Sequence, residues 1–210
     1  MILTIFGATG MVGKQLVKQS LFKGYIVKAF GRSVYTAGIN ENENLRLIQG
    51  ALFDTSEVHN AIKGSDAVLS ALGGSVDGTD KSRSLGMKNI ISQMEKAGVK
   101  RIIAVGNMGT LDADDGDEVI ISRPGYPSQF LAVGKEHYKA YEFLKASALE
   151  WTFVCPPDII DAEATGLYHT AADHLPVPNN YKINSGDLAL FMLNELTRNE
   201  YKRSRVGISN

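Results

Sequence analysis

The chain has 210 residues, 44% of them hydrophobic and 21% charged, with a formal net charge of −1 and a pI near 6.4. That is enough for one domain with a full core, and too neutral to argue for nucleic acid or an anionic membrane as a partner. A single cysteine, a lack of any run of about 18 apolar residues, and no basic-then-apolar leader together exclude an internal disulfide and set the expectation of a cytoplasmic protein.

Ile2–Phe6 is an apolar run too short for a helix, and it leads straight into Gly7-Ala8-Thr9-Gly10-Met11-Val12-Gly13. Helical periodicity follows over 11–23. This is strand, turn and helix with a phosphate seat in the turn. Gly7 is expected to let the chain reverse, Gly10 to omit a side chain that would hold a pyrophosphate off the backbone, and Gly13 to let the helix lie close on the sheet. The free N–H groups around Gly10 to Val12 favour an anion. The strand before and the helix after supply the context that a three-glycine pattern needs, so Gly7, Thr9, Gly10, Met11 and Val12 are candidate dinucleotide-binding residues.

Further strands are predicted at Ile26–Gly31, Leu45–Gln49, 67–72, Arg101–Val105, 152–155 and 206–208, and helices at 56–62, 81–97, 134–146 and 185–197. Several strands are almost continuously apolar, as when helices cover both faces of a sheet. Strand–helix alternation implies a Rossmann-type, doubly wound parallel sheet with helices on both faces, in a single domain spanning 1–210. Its ligands should gather at the carboxyl ends of the strands.

The second strand ends in Phe30-Gly31-Arg32-Ser33. An acidic residue there would accept from ribose hydroxyls. A guanidinium and a hydroxyl suit a 2′-phosphate instead, so NADP(H) is the expected cofactor, the alternative being an exposed surface arginine. Strand 3 ends at Gly50-Ala51-Leu52 and strand 4 at Leu72-Gly73-Gly74-Ser75. Ala51, Leu52 and Leu72 are expected near the adenine and the cofactor bridge. Gly73 and Gly74 offer open backbone there or simply make a turn.

Two segments break the rhythm. Residues 110–131 are polar and carry Asp112, Asp114, Asp115, Asp117 and Glu118 before Pro124-Gly125-Tyr126-Pro127. Without the spacing or terminal Glu of an EF-hand they read as a solvated loop, and no metal is expected. Residues 156–181, with Pro156, Pro157, Pro176 and Pro178, are expected to cross the top of the sheet as a small substrate lid. His169 and His174 there read as solvent-facing, and His59 as a helix-surface residue. Cys155, in an apolar stretch, reads as buried packing.

The chain resembles the atypical short-chain dehydrogenase/reductase superfamily, and more narrowly its single-domain NAD(P)H-binding group that includes biliverdin reductase B (flavin reductase). The resemblance spans essentially the whole chain. It is carried by Phe6-Gly7-Ala8-Thr9-Gly10, Ser65-Asp66-Ala67-Val68, Asn89-Ile90-Ile91, Ala97-Gly98-Val99-Lys100-Arg101, Pro156-Pro157-Asp158-Ile159 and Ile183-Asn184-Ser185-Gly186-Asp187-Leu188-Ala189. It implies that Pro156, Pro157 and Ile159 border the cofactor. The superfamily uses a Ser/Thr hydroxyl after strand 5 and a Tyr-x-x-x-Lys on the next helix, whose Lys lowers the Tyr pKa. Tyr141-x-x-x-Lys145 fits the spelling but not the place, because Lys145 is only six positions from Trp151. By the family register Val133 stands at the Tyr position and His137 at the Lys position, and Tyr141 reads as packing. Asn107 replaces the hydroxyl.

The flavin and biliverdin reductases also lack the Tyr–Lys pair. Their likeness implies hydride transfer from NADPH to a planar conjugated acceptor, the proton coming from solvent or from the acceptor itself. Asn107 and His137 are then the candidate catalytic residues. Asn107 would hold a carboxamide or carbonyl. His137 would line the pocket or donate a proton from a near-neutral pKa, unless it is a plain helix-surface residue. The alternative is a non-catalytic NADP(H)-binding redox sensor, resembling the NmrA-like regulators and acting through a protein partner. A small-molecule acceptor such as a flavin is the expected partner, and a monomer or weak homodimer the expected state.

Overall fold

The computed structural model describes residues 1–113 and 118–210. Its elements are β1 (Ile2–Phe6), α1 (Met11–Phe22), β2 (Ile26–Gly31), β3 (Leu45–Gln49), α2 (Thr55–Ile62), β4 (Ala67–Ser70), α3 (Met87–Ala97), β5 (Arg101–Val105), α4 (Ser128–Ala146), β6 (Glu150–Cys155), β7 (Asp158–Ile160), β8 (His169–Ala172), β9 (Lys182–Asn184), α5 (Ser185–Arg198) and β10 (Ser204–Ser209). One eight-stranded sheet runs β3-β2-β1-β4-β5-β6-β10-β8, and β7 pairs with β9 in a separate ladder. All neighbours in the large sheet are parallel except β8, which lies antiparallel to β10. Strand order reverses between β1 and β4, which places a crevice at their carboxyl ends.

The strands alternate between two cores, as a period of two requires. Leu3 and Ile5 of β1, Leu69 of β4 and Ile103 of β5 face one side, where α1 and α5 pack together. Phe6, Val68, Ile102 and Ala104 face the other, against α2, α3 and α4. Thr4 also points into a buried layer, where its hydroxyl donates to the Ala61 carbonyl at 2.8 Å and meets the Ser65 hydroxyl at 2.8 Å.

Several boundaries differ from expectation. The stretch 81–97 is two pieces, a π-helical turn at Ser82–Gly86 and then α3. A methyl on Gly86 would come within 2.3 Å of Leu52 Cδ2, so the wide turn and the missing side chain admit Leu52. Helix α4 begins at Ser128, six residues earlier than Gly134. Gly134 lies inside the helix, where a side chain would meet Ile121 at 2.5 Å.

Residues 110–131 are therefore not one loop. A 3₁₀ turn at Met108–Thr110 leads into them, and their described part holds a second such turn at Ile120–Ser122 and a bridge between Asp112 and Val119. Arg205 of β10 holds the segment down, donating to Asp112 (2.6 Å), the Thr110 carbonyl (2.7 Å) and Asp173 (2.9 Å). Asp114, Asp115 and Asp117 lie outside the described residues. The stretch 156–181 contains β7 and the edge strand β8, neither foreseen. Asp187, buried at the start of α5, accepts the Thr165 and Gly166 N–H groups at 2.8 and 2.7 Å and ties the connection between them to the body.

Glu195 of α5 is 1% exposed and accepts from Arg101 at 3.0 Å and from the Tyr201 N–H at 2.9 Å. Removing one member of such a pair leaves the other charge buried and alone. Glu195→Ala should lower unfolding free energy by about 3–5 kcal/mol. Lys18→Ala, which breaks the exposed Lys18–Glu163 pair, should leave it nearly unchanged. Urea denaturation of both variants checks the contrast.

Candidate functional site

A cleft of about 540 Å³ opens at the carboxyl ends of β1, β2, β4 and β5, within the size range of small-molecule sites. Its floor is the first glycine turn. Gly7 has φ +75°, and a methyl there would sit 2.2 Å from the Ala71 carbonyl oxygen; one on Gly13 would sit 2.0 Å from that of Gly7. Both positions are closed to side chains by the protein itself. Gly10 is different. Its φ is −80°, and the nearest atom to an added methyl is 3.5 Å away. Nothing in the fold needs a glycine there, and an added side chain would fill only the space over the start of α1. That helix has no side-chain cap and no acid in its first turn, so its leading amides are available to an anion. Gly73 repeats the pattern, with no atom within 4 Å of an added methyl. These are cradles that a dinucleotide pyrophosphate and its ribose would fit.

Thr9, Met11 and Val12 line the same wall, with Leu52, Leu72 and Gly74 opposite. Arg32 lines the cleft at the end of β2, is exposed, and makes no hydrogen bond or ion pair among the described residues. Ser33 and Ala51 do not line it. The Ser33 carbonyl closes a 3₁₀ turn by accepting the Thr36 N–H at 3.2 Å, and the Ala51 N–H is directed at Glu57 (2.6 Å). The sequence reading missed Phe6 and Phe30 of this wall, whereas Gly50 lines it at the strand edge expected near the adenine. The two rings pack 5.0 Å apart, and a methyl on Gly50 would strike Phe30 at 2.5 Å.

At the other end Asn107, His137, Pro156, Pro157 and Ile159 line the cleft. The Asn107 Oδ1 accepts the Gly109 N–H at 2.8 Å and lies 3.4 Å from the donating Tyr126 hydroxyl. That leaves its Nδ2 for a ligand. Burial raises the Tyr126 phenol above its ordinary value, so it stays protonated. His137 is 7% exposed. Burial first, and then the charge of Arg83, pull its imidazole down to about 3, where the sequence reading expects a near-neutral group. The ring is neutral at pH 7 and offers no imidazolium proton. The difference arises because α4 turns His137 inward, on the face that also buries Val133 and Tyr141.

Ser82 and Arg83 of the π-helical turn, and Asp80 just before it, also line the cleft and were not anticipated, because no recognised motif marks them. Arg83 Nη1 and Nη2 donate to the Ser75 and Gly74 carbonyls at 2.9 and 3.0 Å. Beside it Glu136 pairs with Lys81 at 2.8 Å and takes a short hydrogen bond from Ser84.

Other candidate groups fall elsewhere. Tyr141 stacks on Phe153 at 6.1 Å, meets Trp151 edge-on at 5.8 Å and does not border the cleft. Cys155 is buried beside Thr110, and burial pushes its thiol up to about 12, so it supplies no thiolate at neutral pH. His169 and His174 are exposed. Of the stretch 156–181 only Pro156, Pro157 and Ile159 reach the cleft wall; β8 is at the far edge of the sheet. Among the described residues no cluster of His, Cys, Asp or Glu could hold a metal ion. No described helix is long and apolar enough to cross a membrane.

The model of a family described as NAD(P)H-binding matches residues 7–199. Bacillus subtilis YwnB, an uncharacterized protein, is 25% identical over 97% of this chain and 96% of its own. Among solved structures, a candidate NADH-flavin reductase from Streptococcus pneumoniae superposes with a TM-score of 0.85 at 26% identity, covering 100% of this chain and 99% of that one. A candidate epimerase from Bacteroides thetaiotaomicron gives 0.86 at 27% identity, covering 99% and 96%.

The two kinds of glycine respond differently to substitution. Gly10→Val should melt like the parent yet lose at least about a hundredfold in nicotinamide dinucleotide affinity by calorimetry, whereas Gly7→Ala should destabilise the fold by about 1–3 kcal/mol. His137 adds a pH signature. Because its pKa is depressed in the folded state, the unfolded chain binds the extra proton below about pH 6.5. Stability is therefore lost as pH falls from there toward 3. Between pH 7 and pH 5 the parent should lose about 2 kcal/mol more than His137→Gln in urea unfolding.

Proposed function

The chain belongs to the NAD(P)H-binding family, and from that premise we propose that it is an NADPH-dependent reductase that passes hydride to a flavin or a similarly planar, conjugated acceptor. The observation that carries this reading is the chemistry of the cleft end bordered by Asn107 and His137. The amide cannot shuttle a proton, the imidazole is neutral, and Tyr141, its ring packed on Phe153 and Trp151, does not border the cleft. Such a site suits an acceptor that takes hydride onto an electron-poor ring and draws its proton from water or from its own acidic group. It does not suit oxidation of an alcohol or epimerisation of a sugar, which need a basic residue at the reacting carbon.

A reduced nicotinamide bound here supplies the hydride. The chain's own residues bind and orient. The amides at the start of α1 take the pyrophosphate, and Arg32 takes a 2′-phosphate through charge-assisted bonds. Asn107 Nδ2 offers a hydrogen bond to a carboxamide or to an acceptor carbonyl. Pro156, Pro157 and Ile159 give an apolar wall that excludes water. Holding two planar partners in register is worth several kcal/mol of barrier without any acid or base. The name of the Streptococcus pneumoniae neighbour supports the flavin part of the reading and gives NADH as its donor; Arg32 is what favours NADPH in this chain.

The test is oxidation of NADPH and, separately, NADH by the purified protein with FMN, riboflavin, a quinone and biliverdin offered in turn. Consumption with one acceptor class is the expected result. Tight binding of NADPH with no consumption would replace the reductase by a redox sensor. Arg32→Ala should weaken NADPH about tenfold to a hundredfold while leaving NADH within about twofold. Equal losses on the two cofactors would remove the 2′-phosphate assignment.

A further inference from the structure

Three arginines are buried among the described residues: Arg83, Arg101 and Arg205, at 8, 8 and 7% exposure. A buried guanidinium is expensive unless an anion accompanies it. Arg101 has Glu195 at 3.0 Å, and Arg205 has Asp112 at 2.6 Å and Asp173 at 2.9 Å. Arg83 has none. Asp80 and Glu136 are near enough to influence it, but neither approaches within 4.0 Å of its nitrogens. Asp80 receives the Ser82 N–H at 2.7 Å, and Glu136 is taken by Lys81 and Ser84.

The hydrogen bonds of Arg83 are also incomplete. Two of its five N–H groups go to the Ser75 and Gly74 carbonyls, and its buried Nε has no partner. This is the one buried arginine that lines the cleft. It sits on a π-helical turn packed against α4, the helix that carries His137. Turns of this kind recur at functional sites because they re-aim a side chain. The uncapped amides of α1 and the free Arg32 already provide for the phosphates of a dinucleotide, so the charge of Arg83 is left over.

We infer that Arg83 is the anion-recognition residue for the acceptor, and that the molecule reduced in this cleft carries a carboxylate or a phosphate that completes the ion pair the fold leaves open. The inference rests on the reductase reading above. In the unloaded protein the cation is held in place by two carbonyls, which orient it without neutralising it. An acidic acceptor then restores charge balance when it binds, and a neutral analogue of the same ring system does not.

The experiment compares matched acceptors that differ only in charge: FMN against riboflavin for phosphate, and a quinone carboxylate against its methyl ester for carboxylate. Each is assayed with the parent, Arg83→Met and Arg83→Lys. In the parent the anionic member of at least one pair should have a kcat/KM about tenfold higher or more, and the pair that shows it identifies the acid. Arg83→Met should abolish that advantage through KM, with the neutral member and the Kd for NADPH held within about twofold. Arg83→Lys should restore part of it.

No charge preference in the parent would overturn the inference. So would equal losses on charged and neutral acceptors, which would make Arg83 a support for the Gly73–Gly74 backbone, or a parallel fall in NADPH affinity, which would make it a cofactor residue. If no acceptor is turned over, the reductase reading fails separately. Calorimetry of the same four compounds on the NADP⁺-loaded protein then decides. Binding of an anionic member that Arg83→Met loses sustains the site, and no binding by either anion overturns it.

Discussion

Where β1 ends, three stretches of backbone lie on one another with no side chain between them. Gly7 rests against the carbonyl of Ala71 at the end of β4, and Gly13, one turn into α1, rests on the carbonyl of Gly7. A single methyl at either position would push the strand, the helix and the neighbouring strand apart. This contact sets the height of α1 over the sheet and the direction of its first amides. It also brings the end of β4 within reach of the turn, so that the cleft has two sides. The seat for an anion is thus a by-product of the closest packing in the fold, and Gly10 is the one glycine of the three left over for a ligand.

The opposite end of the cleft is organised by a different constraint, the low tolerance of the interior for unpaired charge. His137 meets it there by staying neutral, and away from the cleft Arg101 and Arg205 meet it with carboxylates from distant parts of the chain. The outcome is a reaction end whose amide and neutral imidazole move no proton at neutral pH, with a cation beside them. Chemistry there falls to the bound partners, and the protein's part is geometry.

Much of this was legible in sequence where the cause is local. The turn Gly7–Gly13, the runs of β1, β2, β3 and β5 and the displaced Tyr141–Lys145 pair depend on neighbours a few residues away, and the last is exposed by simple spacing from Trp151. What escaped depends on partners far along the chain. Gly134 looks like a helix boundary until Ile121 is seen pressing on it, and no local signal shows that Phe30 lies beneath Gly50. The π-helical turn cannot be told from helix by periodicity, so Arg83 went unnoticed. β7, β8 and β9 have three or four residues each, too few to declare a period. The pKa of His137 follows from burial by elements that sequence does not place beside it. The segment around Asp114, Asp115 and Asp117 lies outside the described residues.

The sheet order has one more consequence, for the way the molecule comes into being. Strand β10 lies between β6 and β8, parallel to the first and antiparallel to the second. On the ribosome β8 emerges about 30 residues before the strand it pairs with, and it has no place in the sheet until that strand arrives. The hydrogen bonds of Arg205 to Thr110, Asp112 and Asp173 wait for the same event. The half built on β1 to β5 can collapse during synthesis, whereas the flank that carries Cys155 and Pro156 closes only after β10 has emerged.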